Sequence, residues 1–302
     1  MTIRKPYSVF FRSLSGKCML VLALVLFAGC SSAPKRPAEI LTTRNLAIKQ
    51  LDLANKEAER GNYDLAQVLM DEAWRMAVST DDPSLRVQVQ LSQGNLAFYT
   101  GDPDAANNAW DAALAEAQRD GDKELVSVAK IYRTRGELSP DNEALKKQQA
   151  EKVITTITAE MGNIKKANPL FTAYAWVLTG FAQKDLGRWS EAEKSVQNAA
   201  SIHEKERYLE LAAYDWYVIA SIRSMAGQYA SAVTALQTAI EFDRRAENTF
   251  GLGMDWMATG DVQVRAGNIS AAKDAYQRAS DIFASASFEQ NAAEADRKLN
   301  AL

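Results

Sequence analysis

At 302 residues, with 47% hydrophobic and 24% charged side chains, the chain has the content of a folded protein and excludes wholesale disorder. Only 7 Pro and 15 Gly, set among abundant Ala, Leu, Glu, Lys and Gln, favour long helices over strands, so the expected class is all-α. A net charge of −3 with no clustered basic face argues against a nucleic-acid partner.

The first thirty residues differ from the rest. Arg4, Lys5, Arg12 and Lys17, with no acidic residue among them, precede the apolar run from Cys18 to Phe27, which ends in Ala28-Gly29-Cys30. This is the order of a charged segment, a short apolar segment and a small-residue cleavage site. The run is about half the ~20 residues needed to span a bilayer, so a permanent transmembrane anchor is the weaker reading. Leu26-Phe27-Ala28-Gly29-Cys30 resembles the lipobox of bacterial lipoproteins. The resemblance implies that residues 1–29 are a removed signal peptide, that Cys30 carries lipid, and that residues 30–40 form a flexible tether. It also implies a cell-envelope location, with Ser31 pointing to the outer membrane, facing the periplasm. Without the first 29 residues the chain keeps 31 basic and 38 acidic side chains, and Cys30, now lipidated, is its last cysteine, leaving no thiol for a disulfide, a metal or a nucleophile.

From residue 41 onward the chain repeats itself. Gly61-Asn62-Tyr63, Gly101-Asp102-Pro103, Gly187-Arg188-Trp189, Gly227-Gln228-Tyr229 and Gly267-Asn268-Ile269 share one turn pattern, with Gly-to-Gly spacings of 40, 86, 40 and 40 residues. Five residues after each Gly stands Ala66, Ala106, Ala192, Ala232 or Ala272; seven further on stands Ala73, Ala113, Ala199, Ala239 or Ala279. Between the two Ala lies Met70, Trp110, Val196, Leu236 or Tyr276. These spacings fall on one helical face, with Ala where a paired helix comes close and Gly supplying the left-handed backbone that ends the first helix. Gly94, Gly180, Ala220 and Gly260, seven before four of the turns, supply a small residue on the first helix. The 86-residue gap holds two units, giving six in all, of which the third, around Asp122 to Lys166, lacks the Gly turn.

This pattern resembles the tetratricopeptide repeat, over roughly residues 47 to 284, with a period of about 40 in place of the family's 34. The resemblance implies a right-handed superhelical array of about six helical hairpins over residues 41–286, closed by a C-terminal capping helix over 287–302. It puts Trp176, Trp216 and Trp256 in the core. The first helices would line a concave groove through Gln88, Leu91, Asn95 and Tyr99; Tyr174, Val177, Phe181 and Asp185; Tyr214, Tyr217, Ser221 and Met225; and Met254, Met257, Asp261 and Arg265. The candidate partner-binding surface is Tyr174, Phe181, Tyr214, Tyr217, Met254 and Met257, aromatic and Met side chains suited to an apolar segment or ligand.

Little else in the sequence carries chemistry. His203, the only His, stands among charges in Ile202-His203-Glu204-Lys205-Glu206 and reads as a solvated residue at a helix end. With no second His and no Cys left, a catalytic triad, a metal site and a cofactor are not expected, and neither is enzymatic activity. The expected function is a membrane-anchored scaffold or adaptor that binds envelope proteins through its concave groove. The alternative is a site for a small hydrophobic ligand, in an accessory component of a solute-transport system.

Overall fold

The computed structural model describes residues 42–138, 142–164 and 168–302; the expectations for the signal peptide, Cys30 and the tether lie outside them. The described chain is thirteen α-helices and one 3-10 turn, with no strand among the described residues. In order these are α1 (Thr42–Glu59), α2 (Tyr63–Ser79), α3 (Pro83–Tyr99), α4 (Pro103–Asp120), α5 (Lys123–Arg133), the 3-10 turn Thr134–Glu137, α6 (Glu143–Glu160), α7 (Pro169–Asp185), α8 (Trp189–Glu206), α9 (Leu209–Met225), α10 (Tyr229–Ala246), α11 (Thr249–Arg265), α12 (Ile269–Ser285) and α13 (Glu289–Asn300). Consecutive helices pair into hairpins, and each hairpin packs on the next.

The repeat positions behave as their spacing requires. Every Ala five or twelve residues after a turn Gly is fully buried, and so are Met70, Trp110, Val196 and Leu236, with Tyr276 nearly so. The small residue on the first helix makes room for the large one on the second. A Cβ on Gly94 would sit 2.2 Å from the Trp110 indole nitrogen, and one on Gly260 would sit 2.4 Å from the Tyr276 ring. Trp110 stays satisfied in the interior by donating its indole N–H to the Leu91 carbonyl at 3.3 Å.

Local signals start and stop the helices. Asp82, Asp102, Asp122, Asn142, Asn168 and Asn248 cap N-termini through their side chains, three of them followed at once by Pro in the first turn. At the hairpin turns Gly61, Gly101, Gly187, Gly227 and Gly267 take φ between +72° and +83°. The next N–H then reaches back to an otherwise unpaired helix carbonyl, as Gln228 does to Arg223 at 2.8 Å. Some turns between hairpins are left-handed without Gly: Arg207 (φ 64°) and Glu247 (φ 55°) end α8 and α10.

The third unit departs from the others. Its first helix, α5, has only 11 residues and runs into the 3-10 turn, with no Gly turn before α6. Its two helices are tied instead by polar bonds. Glu160 accepts from the Ser127 hydroxyl and from the Lys130 ammonium, each at 2.6 Å, and the Asn163 amide donates to Ser127 at 3.0 Å.

Two expectations are corrected. Trp176, Trp216 and Trp256 are half-buried and pack against the edge of the core, not at its centre. The closest helix approach is occupied by small residues such as Ala213, Ala220, Gly253 and Gly260, and an indole does not fit there. Trp216 instead donates its N–H to Glu204 at 2.8 Å, and Trp256 lies beneath the Arg278 guanidinium at 4.8 Å. His203 is not a solvated residue but is 5% exposed, its Nδ1 2.7 Å from an Asp215 carboxylate oxygen on α9. The next hairpin covers this helix end. Forty residues on, the corresponding pair is Asp243 and Asp255, both buried.

Burial, joined by the charge of Glu210, raises the Asp243 carboxyl to about 7 against the hydrogen bond donated by Asn248. Burial and Asp243 together push Asp255 well above the usual carboxylate range. A raised folded-state pKa means that the folded protein holds the proton more tightly than the unfolded chain. Stability is then greatest below the unfolded value near 4 and falls as pH rises through the window from about 4 to about 7. Asp255→Asn should therefore raise stability at pH 8 by roughly 1–3 kcal/mol and change it little at pH 4, as measured by urea unfolding at the two values. A loss of stability at pH 8 would contradict this account.

The turns give a second, independent prediction. A Cβ on Gly227 meets nothing within 4 Å, so Gly227→Ala tests the left-handed backbone alone and should cost about 1–2 kcal/mol. Arg207→Gly, which relieves a non-Gly residue of the same conformation at an exposed position, should be neutral or stabilising by several tenths of a kcal/mol. Thermal melts of the two variants check both signs.

Candidate functional site

The array bends far enough for its first hairpin to meet its later ones. Arg60, at the turn after α1, places Nη2 3.2 Å from Glu210 Oε1 on α9 and 3.3 Å from the Ala246 carbonyl at the end of α10. The adjacent Gly61 lies so close to Phe250 on α11 that a Cβ there would come within 2.9 Å of the ring. This contact joins residues 150 apart in sequence and partly closes the inner surface.

Inside lies a cavity of about 1200 Å³, counting the space open to solvent at its mouth. Its wall comes mainly from the first helices α1, α3, α5, α7 and α9 and from the 3-10 turn, as the repeat register requires, with His203 reaching it from α8. Phe98, Tyr99, Tyr132, Tyr174, Phe181 and Tyr214 supply most of its aromatic surface. Tyr132 and Tyr174 stack with ring centres 4.1 Å apart, and the Tyr174 hydroxyl donates to Asn95 Oδ1 at 3.1 Å. The Arg135 guanidinium lies over the Phe98 ring at 4.2 Å and the Phe181 ring at 4.9 Å, and the Lys184 ammonium lies 5.4 Å from Phe181.

The charges in this enclosure act on one another. Desolvation inside the enclosure raises the Tyr99, Tyr132, Tyr174 and Tyr214 hydroxyls, although the Tyr99 and Tyr214 residues as a whole are 46% and 40% exposed, and Arg135 offsets part of the rise at Tyr99, Tyr174 and Tyr214. Burial and then the neighbouring cation Arg135 hold Lys184 low, against the pull of Asp185. Across the cavity, burial and Glu210 raise Glu59 to about 8. His203 and Asp215 reach the same wall; burial raises the Asp215 carboxyl to about 6 against the hydrogen bond with His203.

The six expected partner-binding residues do not form one patch. Tyr174, Phe181 and Tyr214 line the main cavity, but Phe181 is only 8% exposed. Tyr217 stacks on Tyr214 with ring centres 6.4 Å apart and faces a second hollow with Ser221, Met225, Asp261 and Arg265. Met254 and Met257 pack with Tyr276, Phe283 and Phe288 in a C-terminal core to which α13 adds Ala295 and Leu299. The register placed these residues on first helices, as found, but the aromatic side chains of α12 draw the two Met inward. Arg135 was missed because the third unit has no Gly from which to count. It follows Asn95 by 40 residues, the period of the array, and that interval was the available signal.

Among the described residues no group of three or more His, Cys, Asp or Glu could hold a metal ion, and no helix is long and apolar enough to cross a membrane.

No protein-family model matches the chain, and no curated protein does. Solved structures do. A Rap protein complexed with competence and sporulation factor is similar at 15% identity with a TM-score of 0.56, over 84% of this chain and 74% of that one. The apo form of RapI is similar at 12% identity with a TM-score of 0.57, over 84% and 70%. BtubC from P. vanneervenii is similar at 16% identity with a TM-score of 0.51, over 80% and 92%. A putative kinesin light chain with nearly identical TPR-like repeats is similar at 13% identity with a TM-score of 0.50, over 68% and 97%. At these identities the likeness is one of fold, and the fold of this chain is an all-α array of tetratricopeptide-like repeats.

Proposed function

We propose that the chain is a lipid-anchored scaffold of a bacterial envelope, tethered through Cys30 to the outer membrane and binding partner proteins through the inner surface of its helical array. The observation that carries this reading is the aromatic inner wall, contributed by successive first helices. An array of stacked hairpins presents such a wall as one extended surface, and aromatic side chains give large contact area at small entropic cost. The anchor is supported by the charged segment, short apolar run and Ala28-Gly29-Cys30 at the start of the chain. Two or three acyl chains, at ~0.8 kcal/mol per buried methylene, would hold it firmly.

A second reading is favoured by the closing contact between Arg60, Glu210 and the Ala246 carbonyl. Partial closure turns the inner surface into a concave hollow with aromatic walls, so that the array would serve as a receptor for a small ligand.

The scaffold is tested in cells. Cys30→Ser should abolish incorporation of a labelled fatty acid and leave an unprocessed precursor; labelling that persisted would sink the anchor. Tyr214 is 40% exposed, so Tyr214→Ala should leave thermal stability within about 0.5 kcal/mol of the parent. The same change should reduce cross-linking to a specific envelope partner about tenfold or more if the inner wall is the contact. Undiminished cross-linking would place the contact elsewhere.

A further inference from the structure

Arg135 is half-buried and makes no ion pair among the described residues. Of the neighbouring carboxylates, Glu210 pairs with Arg60, Asp215 with His203, and Glu137 with Arg133 and Lys152. Among the described residues no carboxylate lies within ion-pairing distance of its guanidinium. Instead the group is held between the faces of Phe98 and Phe181, which fix its position while leaving its N–H donors unspent on charge. Lys184 stands over the same Phe181 ring, so two cations share one aromatic wall.

We propose that this cavity binds a small carboxylic acid with an aromatic or apolar body, the carboxylate meeting the Arg135 guanidinium and the body lying against the exposed rings of Tyr99 and Tyr214 and the Tyr132–Tyr174 stack. The inference rests on the second reading above, that the closed array is a receptor for a small ligand, and does not depend on the anchor. A guanidinium offers parallel N–H donors that match the two oxygens of one carboxylate. The neutral Tyr99 hydroxyl adds a donor that serves a carboxylate or an amide carbonyl alike and brings no charge. A dianionic phosphate suits the site less, because Asp52 and Glu210 share the cavity and disfavour a second negative charge. The closing contact favours a free molecule over a long segment of another protein, since it narrows the approach to the interior.

The test is calorimetric titration of the full-length lipidated chain in nanodiscs, against empty nanodiscs, with 4-phenylbutyrate and its neutral amide. The acid should bind at least about tenfold more tightly than the amide, the factor expected of a charge-assisted hydrogen-bond pair. Arg135→Gln should bring the acid down to the affinity of the amide, while Arg135→Lys should retain part of the preference. Because the Gln variant also loses its hold on two rings, its helical content and melting are followed alongside. Tyr99→Leu, at a half-exposed position, should weaken acid and amide by a similar factor and leave the preference intact. Equal binding of acid and amide to the parent chain would overturn the carboxylate assignment while leaving a small-ligand cavity in place. Binding of neither probe, or binding only of a peptide ending in a free Phe carboxylate, would overturn the small-molecule reading as well.

Discussion

The structure depends on one steric bargain inside each hairpin: a residue with little or no side chain on the first helix faces a large one on the second. Gly94 lies against Trp110, Gly180 against Val196 and Gly260 against Tyr276, at separations that leave no room for a Cβ. The helix axes can therefore come close, and the large side chain is enclosed from all sides, as a dense interior requires. The 17- and 18-residue helices and the 40-residue period follow from repeating this contact with the same turn. The half-buried Trp side chains follow too, because the face that approaches most closely has been given to Gly and Ala.

That contact is also why so much of the fold could be read in advance. Gly at the turn and Ala five and twelve residues later are required by geometry, so they recur wherever the geometry does. Where the geometry lapses the reading lapses with it. The third unit replaces the Gly turn with a short helix, a 3-10 turn and the Ser127, Lys130 and Glu160 bonds, none of which repeats elsewhere. Arg135 was hidden by that lapse, although it keeps the 40-residue interval from Asn95. His203 was misread for a different reason. Its sequence neighbours are charged, but its repeat equivalents are Asp243 and Phe283, and a fully buried Phe at the same position marks it as interior. Nothing local could announce the meeting of Arg60 with Glu210, which depends on curvature accumulated over four hairpins.

The seams between the last hairpins grade from polar to apolar. His203 meets Asp215, Asp243 stands opposite Asp255, and Phe283 and Ala295 are both fully buried at the last seam. In a stacked array stability is close to a sum over units and seams, so a seam holding two buried carboxyls is a weak one. Asp255 has an oxygen without a hydrogen-bond partner among the described residues, and Asp243 is accommodated only because residue 251 is Gly, where a Cβ would lie 2.0 Å from its carboxylate.

The closing contact falls on this same seam. Arg60 takes hold of the Ala246 carbonyl, the last of α10, and Gly61 abuts Phe250 in the first turn of α11, so the turn of the first hairpin lies across the junction of the fifth and sixth. Glu210, the other group held by Arg60, is also the one whose charge adds to the rise at Asp243 and at Glu59. Neutralising Glu210 through Arg60 therefore eases the electrostatic load on the seam as well as joining the ends of the curve. The closure of the cavity and the clamp on its least stable joint are both consequences of one contact. An array of the same hairpins with a different curvature would lack both.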